Sequence, residues 1–222
     1  MEEILVHALN RGVDKRTIFM DDHDYMRFTY GLFIFNDTRA IDVAALKRKG
    51  LTMSFAEKER RGERLVNIHA WCLMGNHFHL LLSPCREHGI TQFLRKMNIG
   101  FAKYFNDRHG RVGTLFQGRT KQVPIERDAH FLHILHYIHL NPLDFLKECG
   151  DWRERKISHA TNALKHLEKY KWSSFSDYCG RENFPTILTM ELYKDIFKDY
   201  RGEIISYLKD MDIQALGDRT LE

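Results

Sequence analysis

The sequence predicts an α+β sandwich, in which an antiparallel β-sheet carries helices on one face. Strand-like and helix-like patterns follow one another in the order strand, helix, hairpin, helix, strand, helix, which is typical of a sheet covered by helices. Of the 222 residues, 43% are hydrophobic and 29% are charged. This composition is ordinary for a globular protein with a sizeable core.

The first elements are a strand, a turn and a helix. Ile4 to Leu9 has the composition of a strand, and Asn10-Arg11-Gly12 predicts the turn that ends it. Asp21 and Asp22 are suited to cap a helix, and the apolar spacing that follows continues the helix to Phe33.

A β-hairpin is expected next. Leu65 to Cys72 and His77 to Leu82 are two strand-like runs, and the glycine and asparagine at Gly75-Asn76 predict the turn between them. Pro84 ends the second strand, because proline cannot donate to a sheet.

The second half of the core is a helix, a loop, a strand and a helix. Apolar residues are spaced as in a helix from Ile90 to Asn106, and a basic, glycine-containing loop follows at 108–121. Gln122 to Ile125 predicts a short strand, and Asp128 is expected to cap a helix from Ala129 to Leu140.

These elements define a core and two additions. We expect a catalytic domain over residues 1–150, interrupted by an inserted arm at 36–64 that contains a short helical pattern from Ile41 to Lys49. Residues 151–222 are expected to form a helical C-terminal extension, because helical spacing recurs at Ile157 to Lys169 and at Leu188 to Leu208.

Charge is distributed unevenly along the chain, whose net charge is +4. Residues 86–127 contain nine Lys/Arg and three Asp/Glu, a balance of +6, whereas residues 186–222 contain five and eight, a balance of −3. A concentration of positive charge in the middle segment is what a phosphate-binding surface needs.

The cysteines and the apolar runs indicate in which cellular compartment the protein is expected. The four cysteines form no CxxC pair and follow no secretory signal, so reduced thiols in the cytoplasm are expected. No apolar run approaches the ~18 residues of a membrane span. The cysteines are Cys72, Cys85, Cys149 and Cys179.

The first candidate for chemistry is His77-Phe78-His79. Alternate residues of a strand share a face, so both imidazoles point the same way with Cα atoms ~7 Å apart. Two neutral imidazoles placed like this can bind one divalent ion, although two hydrogen-bonded histidines without a metal would give the same pattern.

The second candidate is the helix from Ala129 to Leu140. Tyr137 and Asn141 are four residues apart and therefore lie on one helical face. The Asn141 amide oxygen can be a third metal ligand, which would place the Tyr137 phenol close to the ion. The alternative is a packing tyrosine with Asn141 capping the helix.

The third candidate is the run from Tyr104 to Arg119, in which arginines, aromatic residues and glycines alternate. Arginine binds phosphate, aromatic rings stack on unpaired bases, and glycine lets the backbone approach a phosphate. A basic surface loop with no ligand is the simpler alternative.

Taken in order, these motifs resemble the single-tyrosine HUH transposases of the IS200-like kind, and within them the REP-associated tyrosine transposase group. The resemblance extends from about Ile4 to Tyr178, apart from the inserted arm. It is carried by Asn10-Arg11-Gly12, Asn76 to Leu82, Tyr104-Phe105-Asn106 with Gly118-Arg119, Tyr137 to Pro142, and Trp172-Ser173-Ser174 with Tyr178.

The resemblance implies a ferredoxin-like fold and a role for each motif. His77, His79 and Asn141 would be metal ligands, and Tyr137 would be the nucleophile, with Tyr104 as a rival because it also lies on a helix near basic residues. The residues expected to bind DNA are Asn10, Arg11, Arg108, Arg111, Arg119 and Lys121.

The implied reaction is cleavage and rejoining of single-stranded or hairpin DNA through a 5′-phosphotyrosine. The ligand set suits Mn²⁺, and Mg²⁺ is the expected ion in the cell. The protein would be cytoplasmic, associated with the nucleoid when bound to DNA, and without a membrane partner. A homodimer is left open, as is whether the tyrosine helix acts in its own subunit.

Two other classes compete with this interpretation. A non-catalytic protein of ferredoxin-like fold could bind single-stranded nucleic acid on its sheet, but it would not need His77, His79, Tyr137 and Asn141 together. A metal-dependent hydrolase would need a carboxylate near the ion, and neither the histidine strand nor the tyrosine face of the helix provides one.

Overall fold

The structure is a computed structural model of the chain. It describes residues 4–39, 62–125, 128–149, 151–154, 157, 160–194 and 196–209. The helical pattern predicted from Ile41 to Lys49, with most of the inserted arm, lies outside the described residues, as does the end of the C-terminal extension.

One four-stranded sheet organises the molecule. Its strand order is β2-β3-β1-β4, and every neighbouring pair is antiparallel. Among the described residues, a long helix lies between β1 and β2 and another between β3 and β4, which is the order of the split β-α-β motif of ferredoxin-like folds. The strands are β1 (Leu5–Arg11), β2 (Val66–Leu73), β3 (His77–Pro84) and β4 (Lys121–Ile125).

In the part of the chain that the structure describes, three long helices accompany the sheet, and four shorter ones follow in the C-terminal extension. The α1 helix begins where expected, because the Asp21 side chain accepts hydrogen bonds from the backbone N–H groups of His23 and Asp24. The helices are α1 (Asp22–Ile34), α2 (Gly89–Arg108), α3 (Asp128–Leu140), α4 (Ala160–Lys169), α5 (Phe175–Tyr178), α6 (Glu191–Lys194) and α7 (Tyr200–Lys209).

The predicted α+β class with an antiparallel sheet is confirmed, with one difference in where the helices lie. Helices α1 and α2 cover one face, over Phe78 and Leu80. Helix α3 and the extension cover the other, over Ala70 and Leu81. The strands are apolar on both sides, so both faces of the sheet must be shielded from water, and helices on one face would leave half of this surface exposed.

The C-terminal extension is packed against the sheet domain through shared apolar contacts. Leu164, Ile204 and Leu208 of the extension belong to the same buried cluster as Ile134 and Ile138 of α3. Helix α3 is therefore held between the sheet and the extension, which determines where its polar side chains can point.

Candidate active site

A pocket of about 240 Å³ opens where β3 and the end of α3 meet. His77 and His79 lie on the face of β3 that α3 covers, with ring centroids 4.9 Å apart, as the alternation of a strand predicts. The pocket is lined by Leu9, Arg11, Asn76, His77, His79, Tyr137, Asn141, Asp144 and Arg153.

Helix α3 brings Tyr137 and Asn141 to this pocket. The Tyr137 ring packs edge-on against the His79 imidazole with a centroid distance of 5.7 Å, and 7% of the residue is exposed. The Asn141 Nδ2 group donates to the Tyr137 backbone carbonyl at 2.8 Å. This side-chain bond reaches the carbonyl four residues earlier, as a backbone bond of a helix would. It directs Oδ1 of the amide away from the helix.

A third histidine, His7 on β1, contacts His79 from the neighbouring strand. The two rings are stacked with centroids 5.2 Å apart, and His7 Nε2 lies 2.9 Å from His79 Nδ1. Within the described residues, the buried His79 Nε2 has no hydrogen-bond partner. If His79 Nδ1–H donates to His7, this Nε2 carries a lone pair, which is the form that ligates metals.

His77 is oriented by the neighbouring turn. Its Nδ1 lies 2.6 Å from Asn76 Oδ1, and Asn76 Nδ2 donates to the Lys15 carbonyl at 3.1 Å. Because the amide nitrogen is already assigned to Lys15, the oxygen must accept from His77. Nδ1 therefore bears the proton, and Nε2 is the acceptor nitrogen of the neutral ring.

Burial keeps all three imidazoles neutral. It lowers the pKa of His77 to about 4, aided by the positive charge of Arg11, and lowers the pKa of His7 to about 3, aided by Lys121. Burial also holds the pKa of His79 well below its ordinary value, with further lowering by His7 and His77. Neutral rings retain the lone pairs that bind cations.

Asp144 and Arg153 complete the pocket, and sequence reasoning missed both. Arg153 Nη2 donates to Asn141 Oδ1 at 3.0 Å and to Asp144 Oδ2 at 2.9 Å, and the guanidinium carbon lies 5.9 Å from the centroid of the Tyr137 ring. Asp144 follows α3 in a 3₁₀ turn and Arg153 belongs to the extension. No local spacing connects Arg153 to the histidine strand, so the sequence offered no signal for it.

A carboxylate does line the pocket, although neither the histidine strand nor the tyrosine face of the helix provides it. Asp144 lines the pocket, but it accepts from Trp152 Nε1 at 2.7 Å as well as from Arg153. Both oxygens of this carboxylate are already bonded within the protein, so its presence does not by itself favour the hydrolase alternative.

The rival tyrosine, Tyr104, lies on the opposite face of the sheet. Its hydroxyl donates to Asp24 Oδ1 at 3.1 Å, and burial together with the Asp24 charge raises the pKa of Tyr104 to about 12. Among the described residues, the histidine pocket is lined by Tyr137 and not by Tyr104.

The six residues expected to bind DNA are scattered. Arg11 lines the pocket, and Arg119 and Lys121 are exposed on the loop before β4 and at its first residue. Asn10 is buried, and its Nδ2 lies 3.2 Å from Thr120 Oγ1. The two others are bonded within the protein, Arg108 to Asp21 and Asp24 and Arg111 to Asn106.

Three further histidines of α3 face the extension instead of the pocket. His133 Nδ1 lies 2.6 Å from the Tyr207 hydroxyl, and His139 bonds Tyr200 and Ser174 at 2.7 Å each. His136 packs among aromatic rings of the extension. These contacts join α3 to the extension, as packing residues do.

The donor set limits what could hold a metal ion. Across the described ranges, no group of three or more His, Cys, Asp and Glu side chains is arranged to bind one. A site at His77 and His79 would therefore need the Asn141 amide as a further protein ligand. None of the helices in the described ranges is long and apolar enough to span a membrane.

These features define a ferredoxin-like α+β protein with a pair of neutral histidines, one buried and one half-buried, beside a tyrosine. No family model and no curated protein matches the sequence. Among solved structures, one titled "Structure of the REP associates tyrosine transposase bound to a REP hairpin" is similar with a TM-score of 0.48 and 13% identity, over 85% of this chain and 87% of that chain. A likeness this distant does not carry function, which has to be argued from the site.

Proposed function

We propose that the protein cleaves and rejoins single strands of DNA, with Tyr137 as nucleophile and a divalent metal ion held by His77, His79 and Asn141. One observation carries the proposal. The Tyr137 ring stands 5.7 Å from the His79 ring and 5.9 Å from the His7 ring, in a pocket that His77 and Asn141 also line.

The residues present fit a divalent ion. His79 Nε2 is buried without a hydrogen-bond partner among the described residues, a costly arrangement for a polar atom unless a ligand uses it. His77 Nδ1 donates to Asn76 Oδ1, and His79 Nδ1 is hydrogen-bonded to His7 Nε2; metal-ligating histidines usually have their other ring nitrogen bonded in this way. Two nitrogens and an amide oxygen suit Mn²⁺, and Mg²⁺ would accept the set less readily.

The chemistry balances without an external energy source. The Tyr137 oxygen forms a bond to phosphorus while the bond between phosphorus and the 3′ oxygen breaks, which leaves the protein on the 5′ phosphate and a free 3′ hydroxyl. One ester replaces another, so attack by a 3′ hydroxyl reverses the step and rejoins strands. When bound, the ion polarises the phosphate and stabilises charge on its non-bridging oxygens.

The tyrosine needs positive charge nearby, because a phenol ordinarily ionises near pH ~10. The guanidinium carbon of Arg153 lies 5.9 Å from the centroid of the Tyr137 ring. A cation at this distance lowers the free-energy cost of forming the phenolate.

Basic residues lead from the pocket to the edge of the sheet, which favours an extended DNA backbone as substrate. Arg11 is paired in register with His77, and Leu9, which lines the pocket, is paired with Lys121 on β4. Arg119 is exposed just before that strand. Cations spaced along an edge strand can neutralise successive phosphates.

A covalent-trapping assay tests the proposal. The protein is incubated with Mn²⁺ and end-labelled single-stranded DNA containing imperfect hairpins, ideally from the flanks of its own gene, and is run on a denaturing gel. We expect a protein–DNA adduct with the unaltered chain and none with Tyr137→Phe. Tyr104→Phe is the matched control, because it removes a phenol on the other face of the sheet and should leave the adduct intact.

Each outcome has a defined meaning. Loss of the adduct only in Tyr104→Phe would contradict the assignment of the nucleophile and keep the reaction class. Tight binding with neither adduct nor cleavage on any hairpin would contradict the reaction and favour the non-catalytic binding protein.

A further inference from the structure

Arg153 reaches the pocket from outside the predicted catalytic core. It belongs to the short helical turn Trp152–Glu154, and its guanidinium lies over the Trp152 ring, 4.4 Å from the centroid. Both of its terminal nitrogens are held by the Asp144 carboxylate. Asp144 also accepts from Trp152 Nε1, so the arginine, the carboxylate and the indole form one supported unit beside the histidines.

The same guanidinium is bonded to the oxygen that an ion would need. Arginine can only donate hydrogen bonds, so the Asn141 atom that it contacts at 3.0 Å must be Oδ1. The other end of the amide donates to the Tyr137 carbonyl, which prevents a simple exchange of the two amide atoms. Asn141 is fully buried, so no solvent-facing rotamer of the amide competes with this one.

We propose that Arg153 occupies the cation position of the pocket when no metal ion is bound there. When a divalent ion binds, Arg153 breaks its hydrogen bond to Asn141 Oδ1 and pairs with the DNA phosphate. This inference rests on the proposed function and assigns to the extension a control over metal loading. Asp144 holds the guanidinium close to the pocket while Asn141 is released.

The Arg153 guanidinium and a divalent ion cannot both contact the Asn141 oxygen, because both are positively charged. A guanidinium and a divalent ion sharing one amide oxygen would repel each other strongly in a partly buried site of low effective dielectric constant. A phosphate is the natural next partner, because the planar fork that now binds a carboxylate binds phosphate oxygens with the same geometry. DNA and the metal ion would therefore bind together, and the DNA-free protein would bind the ion weakly.

The test is Mn²⁺ binding to the DNA-free protein, measured by calorimetry or by the loss of the free Mn²⁺ electron paramagnetic resonance signal. Arg153→Met keeps an unbranched apolar side chain in place of the aliphatic part of arginine and removes the charge, and we expect it to tighten Mn²⁺ binding about tenfold, equivalent to about 1.4 kcal/mol. The same variant should lose most of the DNA adduct, since the phosphate loses its arginine. Arg153→Lys retains the charge and should tighten Mn²⁺ binding less.

Two controls separate this inference from a structural role. Arg201→Met removes another arginine of the extension, one that is paired with Glu168 at 2.7 Å, and should leave Mn²⁺ affinity unchanged. In the Asn141→Ala background, the gain in Mn²⁺ affinity from Arg153→Met should become smaller, because competition for the Asn141 oxygen is gone and only charge repulsion remains. Weaker or unchanged Mn²⁺ binding in a folded Arg153→Met protein would overturn the proposal, and Arg153→Gln gives the same readout if the methionine variant does not fold.

Failure of the proposed function would look different. If neither the unaltered chain nor Arg153→Met binds Mn²⁺, or if binding is equally tight after His77→Ala, the metal site itself is wrong. If binding depends on His77 and is indifferent to Arg153, only the present inference fails.

Discussion

The two faces of the sheet carry similar polar clusters with opposite properties. On the α1–α2 face, Tyr104 and Arg108 meet at Asp24, whose oxygens also accept from the Met20 backbone N–H and lie 3.1 Å from His109 Nε2. On the α3 face, Tyr137 and Arg153 meet beside His79. Each cluster combines a tyrosine, an arginine, an aspartate and a histidine, so residue type alone does not distinguish a structural cluster from a reactive one.

The two clusters differ in whether their buried polar atoms have hydrogen-bond partners among the described residues. Asp24 is fully buried, and both of its oxygens are bonded within the protein. Across the sheet, the ring nitrogens His79 Nε2 and His7 Nδ1 are buried without a partner in the described residues, and His79 lines a pocket. A closed cluster stabilises the fold, whereas an open one can bind a ligand.

The largest expected effect compares one histidine from each cluster. His79→Ala removes a proposed ligand and should reduce the rate of DNA cleavage at least ~1,000-fold, because the charge stabilisation supplied by the ion is lost. His109→Ala removes a histidine that contacts Asp24 and should leave the rate per folded molecule unchanged. Rates are measured on labelled hairpin DNA with Mn²⁺, and an equal loss in both variants would contradict the distinction between the clusters.

A second prediction concerns the pH dependence of stability. Burial lowers the pKa of His136 on α3 to about 4, with further lowering by His133. The unfolded chain therefore binds the proton first, so the stability contribution is complete above about pH 6.5 and is lost as the pH falls towards 4. His136→Phe should reduce this acid-induced loss by roughly 3 kcal/mol, measured by urea unfolding at pH 7.5 and 4.5.

The control and the opposite face sharpen this prediction. His88 is largely exposed, and His88→Gln is the control that removes a surface histidine. On the α1–α2 face, the hydrogen bonds from Arg108 hold the pKa of Asp21 below its ordinary value near 3.8, so that contribution is lost only at lower pH. An unchanged profile in His136→Phe would show that this ring does not govern the acid response.

The smallest expected effect separates two basic residues that the sequence placed in one group. Arg119 is exposed, and Arg119→Ala should weaken binding of single-stranded DNA roughly threefold and reduce the salt-dependence slope by ~0.7. Arg108 is occupied by Asp21 and Asp24, so Arg108→Ala should lower stability and leave the slope unchanged. Fluorescence anisotropy at several salt concentrations measures both, and a larger slope change for Arg108 would contradict the assignment.

The strands and helices of the core were predictable because short-range periodicity sets them. The predicted strand from His77 begins at the residue expected, and the predicted helix from Ile90 to Asn106 extends by one residue at its start and two at its end. The shared face of His77 and His79 follows from strand alternation, and the shared face of Tyr137 and Asn141 follows from the helical repeat. These four side chains meet at one pocket, and their roles remain proposals.

Contacts between distant segments could not be predicted in the same way. His7 is separated from His79 by 72 residues, and it reaches that ring only because β1 lies between β3 and β4. The helix on the second face could not be predicted from the strand patterns, because they do not show which element covers the second apolar side of the sheet.

The sequence by itself determined the class of fold and the candidate chemical groups, since backbone periodicity and residue type are local properties. Only the tertiary structure decided that Tyr137 and not Tyr104 adjoins the histidines, that His7 backs His79, and that Arg153 and Asp144 enter the pocket. Those relations depend on which surfaces the apolar faces of the helices bury against the sheet, and burial is decided by the whole chain at once.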